Sequence, residues 1–418
     1  MKFSEYTITT KPEQSVDPLG FTQTFGVLRN RFYPQFTVLS NWPVYHGIIA
    51  LIYQLLAERK SAIGKSGFAK LFRDAECLWG LANVAAGKSV LNVTKYQVIL
   101  KDRSRVALTN IRSGDAIFRS LNYGTLGHYS NPSVAWGLLE RGATQLTPMG
   151  NRLANAFAKR GGHSLKSALE RWLGRNEIER AELVTLGNAY GTDSPPSHSE
   201  RDVWKAAVDA WRKHAPDTAA LWTNPPDRAE VKMLCANDSA YRNFFPTLAA
   251  RYPRLAEDFT QSGRFEAIYA VCVFLFEREY LLCHDAGVTL PNAGVLEEQL
   301  AVALAHLARK YIDRDSRKDK NVLFAALANT SDHATTVNVL LGHHLSHQKA
   351  KNALPYLENG KLLIRDRFDR QRFTSLHEEL TGLTSPEDCL ALLAYRYRRD
   401  WHIDRAMRYS HYIRDGAK

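Results

Sequence analysis

Apolar residues that recur every three or four positions are the feature that most constrains how this 418-residue chain can fold. One such stripe runs from about Pro43 to Glu58, and a second runs from about Ser66 to Ala86. The spacing places each stripe on one face of an α-helix. Comparable patterns cover most of the chain after residue 200, so the sequence predicts a mainly α fold with short β-hairpins.

Turn signals predict two hairpins that interrupt this helical pattern. Glu140–Ala143 is typical of a turn, and the second hairpin, Leu354–Arg365, contains Asn-Gly, the strongest short hairpin signal. After the first hairpin, Thr147 and Pro148 are residue types preferred at an N-cap and at the first position of a helix. The sequence therefore predicts a short hairpin followed by a helix that ends near Gly161.

Two further local predictions concern a strand and a linker. The segment Lys95–Lys101 has a pattern typical of a strand. Asn188–Ser199 contains Asp-Ser-Pro-Pro-Ser and is the clearest linker in the chain. Ser199 and Asp202 are expected to form a capping box at the start of the helix that follows.

These patterns divide the chain into three predicted segments. Residues 1–165 form a mixed domain of helices and hairpin, and residues 166–200 form a linker helix and loop. Residues 201–418 form a mainly helical domain with a hairpin near residues 354–365.

The stretch "GLL…LTPMGNRLANAF", which ends near Phe157, resembles the end of winged-helix modules found in bacterial DNA-binding proteins. The resemblance implies a winged-helix-like N-terminal domain. It places the recognition helix upstream, within Asp115–Gly124, where Arg119 and Asn122 would face a groove, or around Ser130–Trp136. The alternative is a generic helix–hairpin–helix element that serves packing only.

The N-terminal motifs "DPLGF…L…FYP…L…W" and "LFRDAECLWGLA" resemble in style uncharacterised bacterial proteins encoded beside restriction and anti-phage genes. This resemblance implies a DNA-targeting component of a defence complex.

Positive charge is concentrated in the first part of the chain. The whole chain has a net charge of +12, and residues 1–165 contain 20 Lys and Arg against 9 Asp and Glu. The remaining residues contain 35 Lys and Arg against 34 Asp and Glu. A domain of one charge sign attracts polyanions, of which DNA and RNA are the commonest, although an acidic partner protein is the alternative.

We therefore expect basic side chains of residues 1–165 to bind phosphates. The candidate nucleic-acid-binding residues are Arg103, Arg105, Arg112, Arg119, Arg152, Lys159 and Arg160.

The cysteines and the longest apolar stretch indicate the cellular compartment in which the protein is expected. Five scattered cysteines without a CxxC pair predict neither a disulfide framework nor a structural zinc site. The longest apolar stretch, Ala267–Phe276, has ten residues, whereas a membrane span needs about 20. Because the first residues also lack the pattern of a signal peptide, we expect a cytoplasmic protein with no membrane partner.

No complete catalytic motif is present. Two Gly-Lys-Ser tripeptides lack the glycine that a phosphate-binding loop needs five residues earlier, since Arg59 and Ala82 occupy those positions. The cluster His343, His344 and His347 has only part of a metal-ligand pattern.

Two other sets of residues each allow a functional and a structural interpretation. Asp227, Glu230 and Lys232 contain a Glu-x-Lys fragment of metal-dependent nucleases, but their flanks predict a helix surface. The segment Tyr395–Arg414 mixes arginines with aromatic residues, which fits either nucleic-acid contacts or an amphipathic helical end.

The sequence thus predicts a non-catalytic DNA-binding protein with no cofactor and no bound metal. The alternatives are a divergent metal-dependent nuclease and a protein-interaction scaffold in a multi-subunit complex.

Overall fold

The fold is mainly α-helical, as the sequence predicts, and the part of the chain that the structure describes contains two short antiparallel strand pairs. The computed structural model describes residues 17–37, 40–58, 65–101, 103–107, 124–142, 145–160, 165–173, 175–284, 294–311, 318–358, 361–362 and 369–414.

The elements of the first half are α1 (Phe21–Phe32), α2 (Val44–Glu58), α3 (Lys65–Ala85), α4 (Val93–Leu100), β1 (Arg105–Ala107), α5 (Thr125–Ala135), α6 (Pro148–Ala158), α7 (Leu165–Leu173), β2 (Glu177–Glu179), α8 (Arg180–Tyr190), α9 (His198–His214) and α10 (Pro216–Thr223). The elements of the second half are α11 (Arg228–Leu234), α12 (Asp238–Tyr241), α13 (Phe244–Arg251), α14 (Ala256–His284), α15 (Val295–Lys310), α16 (Lys318–Ala328), α17 (His333–Ala350), β3 (Leu357–Glu358), β4 (Lys361–Leu362), α18 (Arg370–Thr381), α19 (Pro386–Arg396) and α20 (Ile403–Arg414).

The chain forms two compact units, and each unit combines residues that are distant in sequence. Unit 1 comprises Met1–Arg31 and Arg228–Arg399, and unit 2 comprises Phe32–Asp227 and Asp400–Lys418. This division differs from the predicted boundaries near residues 165 and 200. The reason is that apolar faces at the chain ends pack on distant helices, a feature that local sequence patterns do not reveal.

Helix α2 is the centre of unit 2. Almost all of its side chains are buried, and it packs against α3, α5 and α6. Its bounds and those of α3 confirm the two predicted amphipathic helices. Full burial of a large apolar side chain contributes roughly 1.5–3 kcal/mol to folding. The large side chains most deeply buried in this core are Phe72, Trp79, Tyr129, Phe157, Trp172 and Tyr190.

The C-terminal helix α20 belongs to unit 2 through a buried polar contact. His46 of α2 hydrogen-bonds the Ser133 hydroxyl of α5 through Nδ1 (2.7 Å) and the Tyr409 hydroxyl of α20 through Nε2 (3.1 Å). Burial lowers the pKa of His46 to about 3, so this imidazole stays neutral at physiological pH. The contact joins three helices without burying a charge.

Helix α14 is the centre of unit 1, and most side chains of its apolar segment from residue 267 to 276 are buried. Helices α13, α15, α17 and α19 pack against it. Helix α1 joins this unit because Phe21 makes edge contacts with the rings of Phe265 and Tyr269. Strands β3 and β4 pair antiparallel, with Glu358 opposite Lys361, as the predicted hairpin requires, and its Asn-Gly turn lies outside the described residues.

Two local predictions were wrong. The predicted strand Lys95–Lys101 is helix α4, whose buried residues Tyr96 and Leu100 lie one turn apart on the face packed against α3. The helix does begin with a capping box, but Ser197 and Glu200 form it, two residues before the predicted Ser199 and Asp202. The Ser197 hydroxyl accepts a hydrogen bond from the Glu200 backbone N–H (3.2 Å), and the Glu200 carboxylate accepts one from the Ser197 N–H (2.9 Å).

Local sequence patterns do not reveal the β1–β2 ribbon. These strands pair antiparallel with Arg105 opposite Glu179, although more than seventy residues separate them. All five cysteines are free thiols. No helix in the described part of the chain combines the length and apolar character that crossing a membrane requires.

The predicted hairpin before α6 is present as a single bridge between Leu139 and Leu146. Thr147 caps α6, since its hydroxyl accepts a hydrogen bond from the Gly150 N–H (3.0 Å), and Pro148 is the first helical residue, as predicted. The winged-helix arrangement itself is not confirmed. Among the described residues 124–142 and 145–160, this single bridge is the only strand pairing, which is less than a wing of paired strands would show.

Gly150 holds the hairpin against α6, and we predict that Gly150→Ala destabilises unit 2. An added Cβ would lie 2.0 Å from the Leu138 carbonyl oxygen, so the hairpin or the helix must move. Such overpacking costs about 1–3 kcal/mol, measurable by urea denaturation. The matched control is Gly26→Ala in α1, where a Cβ meets nothing within 4 Å. Gly26→Ala should leave the free energy of unfolding unchanged or raise it. If both variants lose the same free energy of unfolding, the close contact at Gly150 is not as described.

Candidate nucleic-acid interface

The structure separates the seven predicted phosphate-binding residues into three classes. Arg103, Arg105, Arg152 and Lys159 are exposed, whereas Arg160 is buried. Arg112 and Arg119 lie outside the described residues, as does most of the predicted recognition segment Asp115–Gly124. The alternative recognition segment, Ser130–Trp136, forms the last part of α5 and the residue that follows it.

The exposed face of α6 carries two of the predicted cations. Asn151, Arg152, Asn155 and Lys159 are all exposed, and Lys159 directly follows the helix. At about 100° per residue, these four positions lie within roughly 100° of arc on one side of the helix. The face is therefore a continuous polar and basic strip, which we call the α6 strip.

The opposite face of α6 explains why the α6 strip faces solvent. Leu153, Ala154 and Phe157 are buried, and the helix packs on α2 and α9. One amide of the α6 strip is also oriented by a neighbour, since Gln54 Nε2 donates a hydrogen bond to Asn155 Oδ1 (2.9 Å). Burial of the apolar face thus fixes the direction in which Arg152 and Lys159 point.

Acidic residues are absent from the sequence around the α6 strip. Between Glu140 and Glu170 the chain has no Asp or Glu. Arg141, in the hairpin turn that precedes α6, is exposed as well. Within the described residues, Arg141, Arg152 and Lys159 form no ion pair. These three cations are consequently available to an external anion.

Arg160, which was predicted to bind phosphate, is buried inside unit 2. It is only 3% exposed, and its Nε and Nη2 donate hydrogen bonds to the two carboxylate oxygens of Glu200 (2.9 and 2.6 Å). Nη2 also contacts the Tyr412 hydroxyl, and the guanidinium lies over the Phe157 ring. Arg160 therefore has a structural role, because its hydrogen-bonding groups are committed inside unit 2.

Two predicted residues, one at the start of β1 and one just before it, form a second, less basic group. Arg103 is exposed and makes no ion pair with a described residue. Arg105 is paired with Glu179 on the adjacent strand (3.2 Å). Because Glu177 also faces solvent on β2, the exposed face of this ribbon has two carboxylates against one guanidinium.

Ion pairs remove part of the charge asymmetry seen in the sequence. Lys88, Arg105 and Arg160 each pair with an acid from residues 166–200. An excess remains in unit 2, whose residues include 28 Lys and Arg against 19 Asp and Glu. Unit 1 contains 27 against 24, so unit 2 is the more basic unit.

The histidine cluster holds the N-terminal turn of unit 1. His344 Nδ1 donates a hydrogen bond to the Pro18 carbonyl (2.9 Å), because its Nε2 accepts one from the Tyr356 N–H (2.9 Å). His343 Nε2 lies 3.1 Å from the Leu19 carbonyl oxygen. Within the described residues, no group of three or more His, Cys, Asp or Glu could hold a metal ion.

The two remaining sequence candidates also have structural partners. Glu230, on helix α11, pairs with Arg251 (2.6 Å). In the C-terminal segment, Tyr409 and Tyr412 are buried and Arg396 binds both carboxylate oxygens of Glu379. The amphipathic alternative therefore describes this segment better than a surface of exposed aromatic rings.

Helix α5, which leads into the hairpin, begins at a buried carboxylate that no local sequence pattern indicates. Glu76 Oε1 accepts hydrogen bonds from the backbone N–H and the hydroxyl of Thr125. Its Oε2 has no partner among the described residues. Burial raises the pKa of Glu76 to about 7 although both hydrogen bonds from Thr125 lower it. The phenols of Tyr45 and Tyr96 and the thiol of Cys77 surround it, and burial raises the pKa of each.

No protein-family model matches the chain, and no curated protein or solved structure matches it either.

The opposite environments of Arg160 and Arg152 give a stability prediction. Arg160→Ala should lower the free energy of unfolding by about 3–5 kcal/mol, because it leaves the Glu200 carboxylate buried without its partner. Arg152→Ala removes an exposed side chain of the same type, and its effect should stay within about 0.5 kcal/mol. Urea denaturation of both variants tests this, and equal effects would show that Arg160 is not held as described.

Glu76 gives a pH prediction. Its folded-state pKa of about 7 exceeds the ordinary value of 4.5, so its contribution to stability is present below pH 4.5 and is lost as the pH rises through 7. The tyrosines and cysteine around it stay neutral over this range. The wild-type protein should therefore lose stability between pH 5 and pH 8 relative to Glu76→Gln. Urea denaturation at several pH values gives the free energy of unfolding of each protein. If these free energies change with pH by the same amount in both proteins, the assignment is contradicted.

Proposed function

We propose that this chain binds nucleic acid without catalysis, with DNA as the favoured ligand, through the α6 strip and Arg141. The observation that carries the proposal is that Arg141, Arg152 and Lys159 are exposed and unpaired in a stretch without acidic residues. Such cations replace condensed counterions on the phosphates, and release of those counterions favours binding.

The dimensions of the α6 strip are compatible with a nucleic-acid duplex. Arg152 and Lys159 are seven residues apart, which corresponds to about 10 Å along a helix. A helix fits the major groove of DNA, which is roughly 12 Å wide, and cations on its exposed face can then reach phosphates beside the groove. Asn151 and Asn155, on the same face of the helix, are residue types that hydrogen-bond base edges.

The winged-helix resemblance gives the proposal its structural form. We propose that α5, the hairpin and α6 act as a winged-helix-like module in which the hairpin presents Arg141. The resemblance of the N-terminal motifs to proteins encoded beside anti-phage genes makes a DNA-targeting defence complex the biological setting of this proposal.

A triple substitution tests the proposed interface. In Arg141→Gln/Arg152→Gln/Lys159→Gln, duplex affinity should fall, and the slope of log affinity against log salt should decrease in magnitude by about 2.7. The matched control, Lys232→Gln/Lys349→Gln/Lys351→Gln, removes the same charge from exposed positions of unit 1. Fluorescence anisotropy at several salt concentrations measures both effects. Equal losses in both variants would refute the α6 strip as the interface.

Three measurements distinguish the classes of partner: the binding titration, co-elution with other proteins and plasmid nicking. Tighter binding of duplex DNA than of RNA at two salt concentrations supports the proposed ligand. If the wild-type chain binds neither and instead co-elutes with an acidic protein, the scaffold alternative is correct. Plasmid nicking that depends on magnesium or manganese would identify a nuclease and overturn the non-catalytic assignment.

A further inference from the structure

Glu76 of α3 lies against the start of α5 with a carboxyl group that no cation neutralises. The residue is 4% exposed, and it forms no ion pair with a described residue. Both hydrogen bonds from Thr125 end on Oε1, whereas Oε2 has no partner among the described residues. A charge on this carboxyl is costly, because burial removes its water without supplying a counter-ion. The site therefore fits the neutral carboxyl, with the proton on Oε2.

The side chains that face Glu76 stay neutral around physiological pH. They come from four helices and are Tyr45 of α2, Cys77 of α3, Tyr96 of α4 and Thr125 of α5. Burial raises the pKa of both phenols and of the thiol. The nearby charges on α3, Arg73 and Asp74, are opposite in sign and both act on Cys77. Within this set the charge that changes near neutral pH is that of Glu76, because burial raises its pKa to about 7.

Gly124, which directly precedes α5, allows the carboxyl group to approach the helix start. A Cβ at this position would lie 2.7 Å from Oε2 and 2.9 Å from Oε1 of Glu76, so a larger residue would push the carboxyl group away. The φ of Gly124 is −104°, which other residues also adopt. Gly124→Ala thus disturbs the contact between Glu76 and α5 without changing a titratable group.

The other attachments of α5 do not change charge as the pH rises through 7. Ser133, near the end of the helix, is bonded to His46, which is neutral because its pKa is about 3. Tyr129 accepts a hydrogen bond from the Trp42 N–H (3.2 Å), and burial raises the pKa of this phenol. Burial lowers the pKa of His128, which is therefore mostly neutral at pH 6.5 and above. The start of α5 is consequently the end whose attachment depends on a proton.

We propose that Glu76 is a proton-dependent latch on α5. The neutral carboxyl holds the first turn of the helix, and loss of its proton to solvent favours a state in which that turn has moved aside and the carboxylate meets water. Helix α3 stays in place, because it packs against α2, α4, α7 and α8.

The latch also acts on the hairpin that follows α5. The Leu138 N–H donates a hydrogen bond to the Ser133 carbonyl (2.8 Å), so the hairpin that carries Arg141 is attached to the end of this helix. Nucleic acid bound at Arg141 should therefore favour the closed latch. This link to nucleic acid, unlike the latch itself, rests on the proposed function.

Hydrogen exchange of residues 125–135, measured by mass spectrometry at pH 6 and pH 8, tests the latch. After division by the intrinsic rate, exchange in the wild type should rise about tenfold, because the carboxyl has a pKa of about 7 in the closed state and 4.5 when solvated. Glu76→Gln is neutral at both pH values and should show no such rise. Glu177→Gln, the same substitution at an exposed position of β2, is the matched control and should behave as the wild type does.

A second variant and a DNA ligand complete the test. Gly124→Ala should exchange faster than the wild type at both pH values, with a smaller rise between them. A saturating short DNA duplex should slow the exchange of α5, and a duplex that binds without slowing it would refute the link to the interface. If no duplex binds, the proposed function fails, while exchange in the free protein still decides the latch. The same rise between pH 6 and pH 8 in the wild type and in Glu76→Gln would overturn the latch.

Discussion

The buried ion pair of Arg160 and Glu200 is the contact on which the candidate interface depends. Glu200 also completes the capping box at the start of α9, so the pair fixes the end of α6 to the beginning of that helix. Taking both charges out of water is costly, and the two-point geometry compensates for this cost only while both partners are present. Because this pair and the apolar face of α6 point inward, Lys159 and Arg152 point outward. Two adjacent cations, Lys159 and Arg160, thus have opposite roles that neighbouring positions in the sequence do not reveal.

Most of the fold that could be predicted depends on local signals. The stripes of α2 and α3, the Thr147 cap and the β3–β4 pairing are each encoded within a few neighbouring residues, and the structure confirms them. The prediction was wrong where distant contacts decide. Lys95–Lys101 is helical because Tyr96 and Leu100 are buried in the same core, and β1 finds its partner strand more than seventy residues away. The composition of the two units depends on such contacts as well.

The candidate site could be predicted only in part for the same reason. Net charge by segment identified the basic region but did not distinguish Arg160, which is neutralised in the core, from Arg152, which is exposed. The absence of Asp and Glu between Glu140 and Glu170 is the sequence signal that would have singled out α6 and Arg141.

The central claim is that nucleic acid covers the α6 strip. Lysine acetylation measured by mass spectrometry, with and without a saturating short DNA duplex, tests it directly because Lys159 lies on the strip and Lys232, Lys349 and Lys351 lie on unit 1. The account predicts that duplex DNA slows acetylation of Lys159 while the three lysines of unit 1 react at unchanged rates. Unchanged reactivity of Lys159 under conditions where the duplex is bound would contradict it.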